Sequence, residues 1–318
     1  MSACDATGAG TRETMTIEPW LWAIFTVIAA GSQTLRNAMQ KELTATIGTV
    51  GATQVRFLFG LPFAVLSLLS ILVVTGHHLP RIDAGVVLWS LLGALTQIAA
   101  TALMLAAMKA RSFVVTTALI KIEPVWVALF GLVFLGDHLS WALAAAILIA
   151  TTGVMILSWP KEALSGGGRS GMPVLLGIVS GMTFGVSAVG YRGGILGVRA
   201  LGEDHFVVAA TSILVLGLMM QVALLAAYLV LFDRKTLAAI FRAWRPSVIA
   251  GFMGALASQF WFLAFAVESA ARVRTLALVE IFFAQLVSRS LFKQGLTWRE
   301  GLGIALILAG VVWLLRGT

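Results

Sequence analysis

The chain has 318 residues, of which 59% are hydrophobic and only 11% are Asp, Glu, Lys or Arg, with a mean hydropathy of +0.97. A soluble domain carries about 25% charged residues, so this composition excludes water as the main solvent. The net charge of +8 does not indicate nucleic acid, because the bases are scattered singly between apolar runs and read as loop charge facing anionic lipid headgroups.

The first 19 residues form a polar tail containing Asp5, Arg12, Glu13 and Glu18. It lacks the basic start of a secretory signal, so the apolar run after it reads as a retained span. Candidate spans follow at roughly 20–38, 52–75, 85–108, 113–135, 140–158, 173–194, 205–231, 246–267, 272–292 and 299–315. Runs of this length suit helices crossing a hydrocarbon core, where the backbone must satisfy its own hydrogen bonds. Turn residues separate them at Gly76–Pro80, Gly136–His138, Asp233–Lys235 and Trp244–Pro246. The Gly-rich stretch at 160–172 divides the chain near its middle.

The two halves repeat. A shift of 157 residues lays Ser112–Leu157 on Ser269–Leu314 without a gap, matching Glu123 with Glu280, Trp141 with Trp298, and Gly153-Val154 with Gly310-Val311. Five spans per half, an odd number, predict that the second half enters the membrane upside down. The expected fold is therefore an all-α integral membrane protein of about ten transmembrane helices arranged as two inverted five-helix repeats, 20–159 and 173–316. Inverted repeats form many secondary transporters, with the site near mid-depth.

Ile122-Glu123-Pro124-Val125-Trp126-Val127-Ala128-Leu129, then Phe134-Leu135-Gly136-Asp137-His138-Leu139-Ser140 and Gly153-Val154, resemble the EamA-type repeat of the drug/metabolite transporter superfamily. The second copy runs Val279-Glu280-Ile281-Phe282-Phe283, Gly295-Leu296-Thr297-Trp298 and Gly310-Val311. It departs from the pattern where Ile281 replaces the proline and Lys293 stands in place of Gly136. The resemblance implies ten helices, a central cavity, and export or exchange of a small metabolite or drug. It also implies termini in the cytoplasm of a plasma (inner) membrane. The basic residues point the other way, being more numerous on the side opposite the termini, chiefly through Arg234, Lys235, Arg242 and Arg245.

Charges inside spans are expensive and mark pathways or pairs. Of 22 basic residues, 18 lie at or near loops; Arg36, Arg56, Lys121 and Arg289 fall inside spans, and Glu123 and Glu280 are the acids that do. Glu123 sits near mid-depth, and Pro124 after it removes a backbone donor and bends the helix. Glu123 and Glu280 are the candidates for proton coupling. Lys121 is two residues from Glu123 and so faces elsewhere on the helix, where Glu280 or an anionic substrate group is its expected partner. Gln33, Arg36, Asn37 and Gln40 share one face of the first span.

Tyr191 and Arg192 are their possible counterparts in the sixth span. Trp126, set against Trp261, is a candidate cavity wall. Gln97, Gln259 and Gln285 are intramembrane amides that suit either interhelical hydrogen bonds or, at Gln259, substrate. Gly177, Gly181 and Gly185 form a small-residue ladder for close helix packing. Substrate contacts are thus expected from Gln33, Arg36, Asn37, Lys121, Trp126, Tyr191 and Gln259.

No catalytic, metal or cofactor motif and no ATP-binding loop stands out, and the single Cys4 makes no internal disulfide. The expected partners are the lipid bilayer, a small-molecule substrate and protons, with the protein a monomer or homodimer. A channel or membrane scaffold is the alternative reading, and an intramembrane enzyme a more distant one.

Overall fold

A computed structural model describes residues 20–110, 113–158, 172–283 and 298–316. The N-terminal tail, most of the Gly-rich linker, Gln285 and Arg289 lie outside the described residues. Among the described residues the chain is α-helical without strands.

The helices are α1 (Leu21–Leu58), α2 (Leu61–Thr75), α3 (Ala84–Ala110), α4 (Phe113–Ile120), α5 (Glu123–Phe130, continued by a π turn at Gly131–Leu135) and α6 (Trp141–Ser158). Then follow α7 (Met172–Ala200), α8 (Phe206–Phe232), α9 (Arg234–Arg242), α10 (Trp244–Val267), α11 (Ala270–Leu276, continued by a 3₁₀ turn at Ala277–Val279) and α12 (Trp298–Arg316). Five segments are long and apolar enough to cross a bilayer by length and composition: Leu21–Thr75, Ala84–Lys109, Met172–Ala200, Phe206–Phe232 and Trp244–Val267. Shorter apolar helices run over Glu123–Leu135, Trp141–Ile156 and Gly301–Arg316.

The burial pattern is inverted relative to a soluble protein. Arg36, Gln40, Arg56, Lys121, Glu123 and Glu280 are buried, while Val73, Val74, Leu88 and Phe232 are exposed. Such a surface is stable only against lipid. Trp141 and Trp298, matched by the sequence repeat, are 92% and 83% exposed at the starts of α6 and α12. Those are positions suited to the aromatic belts at membrane interfaces.

Three element boundaries differ from the sequence expectation. The first helix does not end near residue 38. It runs on to a sharp kink at Gly48, whose φ of 71° and ψ of 175° are reached without steric cost only by glycine. Gln40 stabilises the kink from inside by donating its amide to the Ala52 carbonyl oxygen at 2.8 Å. The fourth span is broken: α4 stops at Ile120 and α5 restarts at Glu123, with Pro124 in the first turn, where its missing N–H has no role. Third, the expected loop after Asp233 holds a helix. Asp233 caps α9 by accepting the Thr236 backbone N–H at 3.0 Å and its hydroxyl at 2.6 Å. Ile240 of α9 is buried in the cluster that also contains Leu43 and Ile47, so the helix tucks under the kink of α1.

The most extensive helix pairings are α3 with α7, α1 with α10, and α6 with α12. The last rests on small residues. A β-carbon on Gly153 would stand 2.7 Å from the Gly303 carbonyl oxygen and 2.8 Å from the Ile307 nitrogen. One on Gly310 would stand 2.7 Å from Ala150 Cβ and 2.9 Å from the Ala146 carbonyl oxygen. The 157-residue shift that converts Gly153 into Gly310 also converts Ala146 and Ala150 into Gly303 and Ile307, so each helix packs on the other through equivalent positions.

Candidate functional site

The breaks in the fourth and ninth spans create the site. Helices interrupted within the bilayer free polar groups that neighbouring side chains must satisfy. The glycine ladder of α7 brings that helix close to the first break: β-carbons on Gly177, Gly181 and Gly185 would meet Leu119, the Ile120 carbonyl and Trp126. A pocket opens beside it, lined by Gln33, Arg36 and Asn37 of α1, Thr117, Lys121 and Glu123 around the first break, Arg274 and Glu280 around the second, and Met104, Ile120 and Phe184.

Its polar groups form one connected network. Glu280 gathers three donors: Lys121 Nζ in a short ion pair, Gln33 Nε2 at 2.8 Å and Asn37 Nδ2 at 3.4 Å. Gln33 also accepts from Trp261 Nε1 at 3.0 Å. Asn37 Oδ1 accepts from Arg36 Nε at 3.2 Å and Nη2 at 2.6 Å. On the other side Glu123 Oε1 lies 3.0 Å from Arg274 Nε, close enough to pair although not aligned as a hydrogen bond. The Arg274 guanidinium stands 4.3 Å over the Trp261 ring and 5.2 Å from that of Phe265, in cation–π contact.

A second cavity adjoins the first through Gln33, Phe184 and Arg274. It continues past Ser187, Tyr191, Ser258, Trp261, Phe262 and Phe265. Tyr191 donates to Gln97 Oε1 at 3.3 Å, and Gln221 Nε2 donates to the same oxygen at 2.7 Å.

Of the residues singled out in the sequence, the structure brings Gln33, Arg36, Asn37, Lys121, Glu123 and Glu280 into one pocket and Tyr191 into its neighbour. Two of the expected substrate contacts lie elsewhere. Trp126 lines neither cavity and stacks on Phe130 with ring centroids 6.0 Å apart; Trp261 supplies the cavity wall. Gln259 ties helices together, donating to Thr211 at 2.7 Å and accepting from Ser67 at 3.4 Å.

Arg192 lies towards the end of α7, where it donates to the Phe265 carbonyl at 2.8 Å and to that of Glu268, with Asp137 3.6 Å away. Arg274, at the start of the ninth expected span and counted among the bases at or near loops, is a buried member of the site.

Comparison with known proteins agrees with this architecture. Twenty-eight chains of solved structures match the chain. One, a crystal structure described only as that of a protein, superposes with a TM-score of 0.64 over 92% of this chain and 94% of its own, at 16% identity, and so shares the fold. No curated protein matches the chain. Residues 20–159 match the model of the EamA-like transporter family, so the first half of this multi-pass α-helical membrane protein is similar to that family.

Proposed function

We propose that the protein is a secondary transporter that works by alternating access, with its solute bound in the mid-membrane pocket and proton movement coupled through Glu123 and Glu280. The observation that carries this reading is the crossed pairing of the two carboxylates. Each sits at a helix break in its own half and takes its cation from the other half: Lys121 for Glu280 and Arg274 for Glu123. A proton on either carboxylate cancels one tie between the halves. Protonation and relative movement of the halves are thereby linked, and the solute meets groups that change partners as they move.

The helix pairings support an internal two-fold relation. Exchanging the halves turns the first helix packed on the eighth span (α1 on α10) into the sixth packed on the third (α7 on α3), and these are two of the three dominant contacts. In an inverted repeat such a relation gives two states of similar energy, open to opposite sides.

The test is transport in proteoliposomes under an imposed pH gradient. Glu123→Gln, which keeps the shape of the side chain and removes its titration, abolishes pH-driven transport while the protein remains folded. Full pH-driven transport by that variant removes Glu123 from the coupling role.

A further inference from the structure

Among the described residues, six charged side chains are buried at the centre of the bundle: Arg36, Arg56, Lys121, Arg274, Glu123 and Glu280. Two cations are matched by the two carboxylates. The other two, Arg36 and Arg56, have no carboxylate partner among the described residues. Arg36 spends Nε and Nη2 on the neutral oxygen of Asn37, and its buried Nη1 has no partner. Arg56 donates Nη1 to the Thr101 hydroxyl at 3.0 Å, and its buried Nε has none. The two stems lie side by side, for Arg36 Cδ and Arg56 Cγ each stand 3.3 Å from the point where a β-carbon on Gly254 would be. An unpaired guanidinium away from water is costly, and two adjacent ones repel each other as well.

We propose that Arg36 is the receptor for the carboxylate of a small organic acid. This assignment rests on the reading of the pocket as the solute site. Arg36 lines the pocket and has a free N–H, whereas Arg56 does not line it. A guanidinium presents a planar fork that matches a carboxylate. Lys121 and Arg274 are already engaged by glutamates, so the anion falls to Arg36. The body of the acid has aromatic side chains to pack on. From Phe184 the space continues into the second cavity, walled by Trp261, Phe262 and Phe265. Stacking on these rings favours an acid with an aromatic body.

The experiment measures thermal unfolding of the full-length protein in nanodiscs, with benzoate and phenylacetate set against their uncharged amides and against chloride and inorganic phosphate. The acids raise the midpoint and the amides do not. Arg36→Gln weakens the apparent Kd for the acids by about a hundredfold, the scale expected when one partner of a buried charge pair is lost, and Arg36→Lys restores part of it. In the absence of ligand, Arg36→Met raises the midpoint, because it removes an unpaired charge.

Equal stabilisation by acid and amide overturns the proposal, as does acid binding untouched by Arg36→Gln, or a lowered ligand-free midpoint in Arg36→Met. Stabilisation by chloride or phosphate without the organic acids overturns the organic-acid assignment. Proteoliposome flux separates the two readings. Acids that bind through Arg36 but never cross the membrane leave the anion site standing and sink the transport reading. Flux of uncharged solutes with the acids inert does the reverse.

Discussion

Glu280 takes its counter-ion, Lys121, from 159 residues earlier in the chain, and both side chains are buried. Such a pair is energetically demanding. A buried pair repays its desolvation only through good geometry and extra hydrogen bonds, which Gln33 and Asn37 supply here.

Removing one partner is therefore far worse than removing both. Lys121→Met leaves Glu280 charged and under-satisfied and lowers stability by about 3–5 kcal/mol. The double variant Lys121→Met, Glu280→Gln recovers most of that loss. Chemical denaturation of the wild type, both single variants and the double variant in lipid gives the coupling directly. Additive losses in the double variant rule out the pairing as an energetic unit.

Much of this pocket was legible in the sequence because charge at membrane depth is too expensive to be accidental. Arg36, Lys121, Glu123 and Glu280 stand out on that ground alone, and Gln33 and Asn37 follow from helical spacing. Arg274 was hidden because it lies close to the turn at Glu268 and Ser269, where an arginine is cheap; only the fold shows that α11 carries it into the bundle. Trp126 and Trp261 illustrate a second limit. Position along a span does not say which face a ring takes, and a two-residue break in the fourth span re-aims everything after it. The helix α9 was missed because a nine-residue segment with three cations reads as a loop until Ile240 is seen packed under the kink at Gly48.

The packing of α6 on α12 makes a test of the internal repeat. Gly153 and Gly310 each face backbone of the partner helix, which cannot withdraw. Gly153→Leu and Gly310→Leu therefore overpack the same interface from opposite sides. Each costs about 1–3 kcal/mol, and the two costs are similar. A large loss for one variant and none for the other contradicts the equivalence of the two helices.

On the alternating-access reading, Arg192 is a closing contact on the side of the termini. Through the carbonyls of Phe265 and Glu268 it ties the end of α7 to the end of α10, with Asp137 from the loop before α6 alongside. Arg192→Gln loses charge-assisted bonds and raises the population open on that side about tenfold. The readout is labelling of Ser187→Cys, in the second cavity, by a membrane-impermeant thiol reagent, in a background where Cys4 is replaced by serine. Unchanged labelling eliminates Arg192 as a closing contact.

The loop before α8 is set to respond to acid. His77 Nδ1 lies 3.2 Å from Glu203 Oε1, and the His77 and His205 rings are 5.0 Å apart. Partial burial, and then the neighbouring His77, hold the His205 imidazole below its ordinary value, against the opposing pull of Glu203. A depressed folded-state pKa means that the folded loop favours neutral His205. Its contribution is present above the ordinary imidazole range and is lost as pH falls through the lower folded value. Hydrogen-exchange protection of residues 201–209 accordingly drops on acidification. His205→Phe keeps a flat ring against Phe206, on which His205 stacks at 6.0 Å, and removes the titration, so protection in that variant stays level over the same pH interval. An identical acid-induced loss in wild type and variant assigns the response to another group.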